Sequence, residues 1–292
     1  MSERLWPGRT LYLLEKRGIS VRRDGPSVLV TEPGKAPRRV PARLIGRVVI
    51  VGNVPMESAV VTLFVQQGTP VIFFDRRDLR PAITLLCEER GPQRRSRQHL
   101  LFRRPPTSER IRLWLRSKRR LSVVRVLKRL SRRLAKRFER EGLREEDYDA
   151  LLRTLRRSNP RWQVLVGVLR GMMLEFVIPL LQRARLDPHC GVLHPAEDFG
   201  LGLDFCFVLE PEIHLQALRF FKDPTRRGHL PWFPRGKDMQ EIVLRFENSK
   251  KNLEAQVQAL IDELLDLMRD VDGGDLSRML RHRRQQKVAK DL

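Results

Sequence analysis

Between Arg90 and Arg140 the chain places 20 Lys and Arg residues, chiefly Arg, against two acids, Glu109 and Glu139. A stretch this charged cannot enter a core, because a buried, unpaired charge has nothing to replace its hydration. Yet Leu113, Leu121, Val124, Leu127, Leu130 and Leu134 recur through it at helical spacing. That pattern predicts helix, with an apolar stripe packed inward and Arg and Lys left outside. The window contributes +18 of the chain's formal +23. Solvated helix faces ordinarily mix both signs, so a face of one sign points to a polyanion. Arg is also the better phosphate ligand, a planar fork with several donors. Nucleic acid is the first partner to expect, an anionic membrane the second and an acidic protein the third.

A chain of 292 residues, 41% of them hydrophobic, can form one large domain or two ordinary ones. Cys87, Cys190 and Cys206 are too scattered for a disulfide framework or a zinc ribbon. They suit a reducing cytoplasm. The opening MSERLWPGRT lacks the apolar core of a signal peptide. No uninterrupted apolar run reaches membrane-spanning length, so a soluble protein without membrane contact is expected.

The first 80 residues read as β-rich. Short apolar or alternating runs at Leu11–Leu14, Ile19–Val21, Val28–Val30 and Val48–Val51 are separated by Asp24-Gly25-Pro26, Pro33-Gly34 and Gly52-Asn53. Met56–Gln67 reads as a short helix and Val71–Phe74 as a buried strand. With a single helix among the strands, a small sheet domain fits better than a parallel α/β domain. Residues 81–271 read as a larger helical domain. Its centre is the apolar Val164–Leu181 helix, which follows the Asn159-Pro160 break and contains Met172 and Met173 as core residues. A Pro/Gly/His-bearing loop, Leu186–Gly202, leads into a helix over Leu203–Phe221, and Met239–Met268 forms a long amphipathic helix. Residues 272–292 read as a basic, mobile tail. The fold class is α+β.

His194 and Asp204 stand ten residues apart, across a glycine-containing loop that enters a helix. An imidazole and a carboxylate so placed can converge on one cation, and the pair suits Mn²⁺ better than Mg²⁺. Taken alone, the spacing equally describes a hydrogen-bonded structural histidine. His189 and Cys190 lie nearby, but a zinc site asks for more ligands at tighter spacing.

The ordered set of motifs resembles the CRISPR-associated adaptation integrases, the universal endonuclease family of spacer acquisition. Arg47-Val48-Val49-Ile50-Val51-Gly52-Asn53-Val54 is similar to the family's strand ending in Gly-Asn-Val. Gly68-Thr69-Pro70-Val71-Ile72-Phe73-Phe74 is similar to its Gly-x-x-Val-x-Phe-Phe. Asn159-Pro160 with the apolar helix, Leu186-Asp187-Pro188, Gly191-Val192-Leu193-His194, Leu201-Gly202-Leu203-Asp204 and Pro211 follow in family order. The resemblance implies a Mg²⁺ or Mn²⁺ ion held by a Glu, His194 and Asp204. The family's Gly-x-Glu-Gly-x-Ala-Ala-Arg helix corresponds to Gly142–Leu152, which makes Glu146 the expected glutamate and Glu145 its rival. The chain departs from the family in lacking the glycine after the glutamate and in a shorter His-to-Asp loop. The paired acids after the Asp are replaced by Phe207 and Val208, leaving Glu210 displaced.

The implied activity is joining of a DNA 3′-hydroxyl to a CRISPR repeat phosphodiester, together with nicking of branched DNA. A metal ion would withdraw charge from the phosphate and stabilise the leaving oxygen. The implied partners are spacer-precursor and repeat DNA, a second copy of the chain through the β-rich domain, and a small ferredoxin-like protein bridging two dimers. Arg116, Arg119, Arg120, Arg161 and Arg170 are the expected DNA contacts, with Arg183 and Arg185 nearby. Trp232 and Phe233 would stack on bases or, better, fill core. Three alternatives stay open: a DNA-binding scaffold of the same fold with a decayed metal site, a transposon-type integrase relative, and an unrelated basic RNA-binding protein.

Overall fold

The computed structural model describes residues 9–74, 81–84, 92–142, 144–156, 159, 161–222 and 236–288, with side chains described as far as residue 271. Trp232, Phe233, Pro160 and Cys87 fall outside that set. The chain divides into two compact units, Met1–Glu89 and Arg90–Leu292, against a boundary expected at residue 80.

The first unit contains seven strands and one α-helix among its described residues. Strands β1 (Arg9–Leu14), β5 (Ile45–Val51), β6 (Val71–Phe74) and β7 (Pro81–Thr84) form one sheet in that order. Strands β2 (Ser20–Asp24), β3 (Ser27–Thr31) and β4 (Arg38–Pro41) form an antiparallel meander. The sequence favoured a small sheet domain over a parallel α/β domain, and within that small sheet two of the pairings are parallel. β1 runs parallel to β5 with Leu13 opposite Ile50, and β5 runs parallel to β6 with Ile50 opposite Phe73. A parallel pair needs a crossover, usually helical. Here the meander itself carries the chain from β1 to β5, and only β5 to β6 crosses through a helix, α1 (Ser58–Gln66). The two parallel pairings are therefore reached by different crossovers, one a meander and one a helix. β5 is apolar and buried along nearly its whole length, as a strand between two parallel neighbours must be. Val60, Leu63 and Phe64 of α1 join Leu11, Leu13, Val48 and Ile50 in the core.

The second unit is helical: α2 (Pro92–Arg103), α3 (Pro105–Leu130), α4 (Arg132–Glu141), α5 (Glu145–Arg156), α6 (Trp162–Arg183), α7 (Gly200–Phe220) and α8 (Gly236–Val288). α7 packs against α3, α6 and α8 and is buried on almost every side. Helix α6, though interrupted by Arg170 and Glu175, is long and apolar enough by length and mean hydropathy to cross a membrane, but 83% of its apolar window is buried inside the protein. It is the core helix of the unit, with Met172 and Met173 among its buried residues. Residues expected in a tail from Asp272 instead continue α8 as far as Val288.

Helix α3 buries only part of the row the leucines suggested: Leu127 is fully buried, but the rest of the inward row is different. Leu113, Leu121 and Leu130 are 58%, 54% and 36% exposed, while Thr107, Ile111, Leu115, Arg119, Ser122 and Val126 face inward. Both rows have helical spacing. Polar residues in the inward row hid it, and the partner helix α7, not apolar content, selected it.

Candidate functional site

Asp204 lies just beyond the first turn of α7 and is fully buried. Its carboxylate faces the backbone of the incoming loop. Oδ2 accepts from Val192 N at 2.6 Å, and Leu193 N reaches both oxygens, at 3.1 and 3.2 Å. Oδ1 also accepts from His194 N at 3.1 Å and from His194 Nδ1 at 2.8 Å. A carboxylate offers about four lone-pair directions, and four donors take them here.

The loop reaches this geometry because two glycines let the backbones touch. A Cβ on Gly200 would stand 2.2 Å from the His194 carbonyl oxygen, and one on Gly191 would stand 2.4 Å from the Gly200 carbonyl carbon. Phe199, the residue before the helix, takes a left-handed φ of 58° and stacks on His189 with ring centroids 4.4 Å apart. Its N–H donates to His189 Nδ1 at 3.2 Å. From α2, Gln98 brackets the loop, donating to the Asp187 carbonyl at 3.0 Å and accepting from Asp187 N at 2.7 Å. His99 Nε2 meets Asp187 Oδ2 at 2.8 Å. This contact and the His189 N–H, which outweigh burial, hold the Asp187 carboxyl below its usual range.

With Nδ1 donating to Asp204, neutral His194 keeps its lone pair on Nε2, and its side chain is 36% exposed. A carboxylate behind an imidazole in this way is the usual support for a metal-binding histidine. The structure thus unites His194 and Asp204, but with Asp204 behind the ring and enclosed.

The acids of α5 lie elsewhere. Glu145, Glu146 and Asp147 occupy its first turn, where a helix N-terminus favours negative charge. Glu146 is exposed. Glu145 reaches Arg119 of α3, its Oε1 lying 3.5 Å from Nε. Arg119 is 8% exposed and fully engaged: Nη2 meets Glu210 Oε2 at 2.8 Å, and Nη1 donates to the Phe207 carbonyl at 2.6 Å. Its guanidinium also lies 4.3 Å from the Phe207 ring centroid. Arg170 takes the other Glu210 oxygen. Burial raises the Glu210 carboxyl, but His214, Arg119 and Arg170 together bring it below its ordinary value. Beneath this cluster, Tyr148 OH meets His214 Nδ1 at 3.1 Å. Burial pushes the His214 imidazole down to about 4, with Glu210 pulling the other way, and burial pushes the Tyr148 phenol up. The phenol is therefore the donor and the neutral imidazole the acceptor.

Among the described residues no group of three His, Cys, Asp or Glu side chains is arranged to hold a metal ion. Glu146, His194 and Asp204 are accordingly not brought together as a ligand set. The expected DNA contacts also separate. Arg116 and Arg120 are exposed on α3, and with Arg112 they make a stripe at four-residue steps. Arg119, one residue away from that stripe, turns inward because it lies four residues after Leu115 in the buried row. Arg170 is half exposed but paired with Glu210, and Arg161 is partly buried at the start of α6.

Residues 11–168 match the family of CRISPR-associated protein Cas1. The chain belongs to the Cas1 family. Its fold agrees with that of a Cas1 protein from Thermotoga maritima over 91% of this chain and 97% of that one, at 16% identity and a TM-score of 0.72. A casposase bound to its integration product matches over 90% and 91% of the two chains at 12% identity, with a TM-score of 0.68. A Cas1 in complex with DNA matches over 89% and 92% at 12% identity, with a TM-score of 0.61. No curated protein matches the chain by sequence.

The Cas1 family match ends before the loop that carries His194 and Asp204. In that loop and beyond it, the residues do not fit a divalent ion. Asp204 has no free lone pair, Phe207 has no acid to offer, and Glu210 is bound at both oxygens by guanidinium groups. Arg119 was the residue that sequence reasoning misplaced. Its position four residues after Leu115 was the available signal.

Proposed function

We propose that this Cas1-family chain holds DNA in CRISPR spacer acquisition, and that its helical unit acts chiefly as a DNA-binding scaffold. The observation that carries this reading is the exposed Arg112–Arg116–Arg120 stripe on α3. Arg103 on α2, Arg110 on α3 and Arg132 on α4 are exposed as well, with no ion pair to a described residue. Guanidinium groups at this density grip phosphates without reading bases. Each phosphate they neutralise releases a counterion, so binding weakens steeply with salt. The DNA-bound Cas1 and casposase structures support DNA as the partner. The Cas6–reverse transcriptase–Cas1 protein found in complex with Cas2 supports a further protein partner. On this reading the chain works in the cytoplasm as a homodimer through its β-rich unit, with a small ferredoxin-like protein bridging two dimers.

A second reading is metal-dependent strand transfer: joining a DNA 3′-hydroxyl to a repeat phosphodiester, or nicking branched DNA, with Mg²⁺ or Mn²⁺. The outward Nε2 of His194, backed by Asp204, favours it. What the ion would supply is charge withdrawal from the phosphate, and Glu146 would be its acidic ligand. The remaining carboxylates do not complete such a site.

Strand transfer of a labelled duplex into repeat DNA with Mn²⁺, alongside binding of the same DNA, separates the two readings. Binding without products supports the scaffold. Products from wild type that vanish in His194→Ala establish the enzyme and overturn it. Failure to bind either DNA overturns both.

A further inference from the structure

We propose that Leu113 and Leu121 pack on the deoxyriboses of a DNA strand whose phosphates lie along Arg112, Arg116 and Arg120, and that this apolar row makes α3 prefer DNA to RNA. This rests on the DNA-binding reading and adds what the outer face of α3 recognises besides charge.

The arrangement comes from the helix itself. Arg112, Arg116 and Arg120 follow one another at four-residue steps, and Leu113, Ser117 and Leu121 do the same one position later. On a helix such steps make two rows side by side, each spanning about 12 Å. All six residues are exposed. The arc that carries them is bounded on both flanks. On one, Trp114 Nε1 donates to Glu263 of α8 at 3.1 Å, and Lys118 pairs with the same carboxylate. On the other, Arg119 turns in toward Glu210 of α7. α8 and α7 take the flanks, and the two rows are left between them.

Leucine on this arc has a cost without an internal return. A lone exposed leucine needs no explanation. Here, however, four of the seven large hydrophobic residues that stand exposed among the described residues lie on α2 and α3, the helices of the arginine-rich stretch. Leu113 and Leu121 are more than half exposed, at 58% and 54%. Helix formation does not require them, since Arg and Lys propagate a helix about as well as Leu. Phosphate binding does not require them either, since an apolar side chain gives a phosphate nothing.

A DNA strand has the complementary pattern. Its phosphates form one charged row, and its sugars form a second row beside it. With guanidinium groups on the phosphates, the neighbouring row of the helix falls on the sugars. In DNA the C2′ edge of each sugar is a methylene, which a leucine can cover with release of water. In RNA the same edge carries a hydroxyl, which a leucine would desolvate without pairing.

The test is binding of the full-length chain to a DNA duplex and to an RNA duplex of the same sequence, each over a series of salt concentrations. Leu113→Gln with Leu121→Gln should weaken DNA binding about tenfold and leave the salt slope unchanged, because no phosphate contact is lost. Binding to RNA should not weaken. Leu113→Met with Leu121→Met should keep the wild-type preference for DNA, because the row stays apolar. Wild-type affinity for DNA in the glutamine variant overturns the proposal, and so does an equal loss on DNA and RNA. A changed sedimentation coefficient of the glutamine variant with DNA binding intact also overturns it, by assigning the leucines to contact between copies of the chain. In each of these cases the wild type still binds DNA and the DNA-binding reading stands. A wild type that binds no DNA at any salt refutes that reading, and this inference falls with it.

Discussion

Asp204 and Glu210 are six residues apart on one helix, and the protein neutralises them in opposite ways. Asp204 sits at the helix entrance and is satisfied by backbone N–H groups and one imidazole. Glu210 sits mid-helix, where backbone donors are already committed to the helix, and is satisfied by two guanidinium groups from α3 and α6. The first arrangement is built from neighbours in sequence and fixes the shape of a loop. The second joins elements far apart in sequence and fixes how helices pack. His194, at the rim of the first, is partly exposed and meets Asp204 through Nδ1, which leaves Nε2 unused by that contact.

The largest effect expected from breaking this comparison is at Asp204. Asp204→Ala would strand buried N–H groups of Val192, Leu193 and His194, each worth about 1–3 kcal/mol when left unmade. Urea unfolding should show a loss of about 3–5 kcal/mol, in the range for uncompensated buried polar groups. A loss below about 1 kcal/mol would mean that the loop does not depend on the clamp.

Next is the Arg119–Glu210 pair. Arg119→Met alone should cost about 3–5 kcal/mol by leaving a carboxylate poorly compensated. Adding Glu210→Leu should recover part of that, with a coupling on the order of 0.5–3 kcal/mol in a double-mutant cycle. Strict additivity would mean that the two residues do not act as a pair.

The pH dependence follows from His214, buried next to Tyr148 and Trp162. Its folded-state value of about 4 lies below the ordinary 6.5, so the unfolded chain binds the proton first. Its contribution is complete above pH 6.5 and is lost as pH falls toward 4, on the order of 3 kcal/mol in all. The lowered Glu210 carboxyl adds a second loss in the more acidic carboxylate range. Urea midpoints measured across this interval should flatten in His214→Phe. An unchanged slope would remove His214 from the cluster's energetics.

The smallest stability changes belong to the outer face of α3. Arg116→Gln with Arg120→Gln should leave unfolding within about 0.5 kcal/mol of wild type. Their effect should appear instead in DNA binding, lowering the slope of log affinity against log salt by about 2. Arg119→Gln should leave that slope unchanged. If it moves the slope as much as its neighbours do, Arg119 reaches DNA and the inner and outer faces are not distinct.

Much of the architecture was legible because it repeats a local rule. The apolar run of β5, the 3.6-residue spacing of α6 and the glycines around His194 each state their own environment. The His194–Asp204 pairing was legible as well, because the loop between them is short and glycine-bearing. The parallel pairing of β1 with β5 was not, since it depends on a meander serving as a crossover. Nor was the inward row of α3. Leu113 and Ile111 have equal claims on helical periodicity, and α7 decided between them.

By itself the sequence determined the charge, the helical period and the order of motifs, because each is a property of residues close together along the chain. The tertiary structure decided which arginine of 116, 119 and 120 faces inward and which carboxylate it meets. A helix advances about 100° per residue, so adjacent arginines face different surroundings, and what lies on each side is set by another helix.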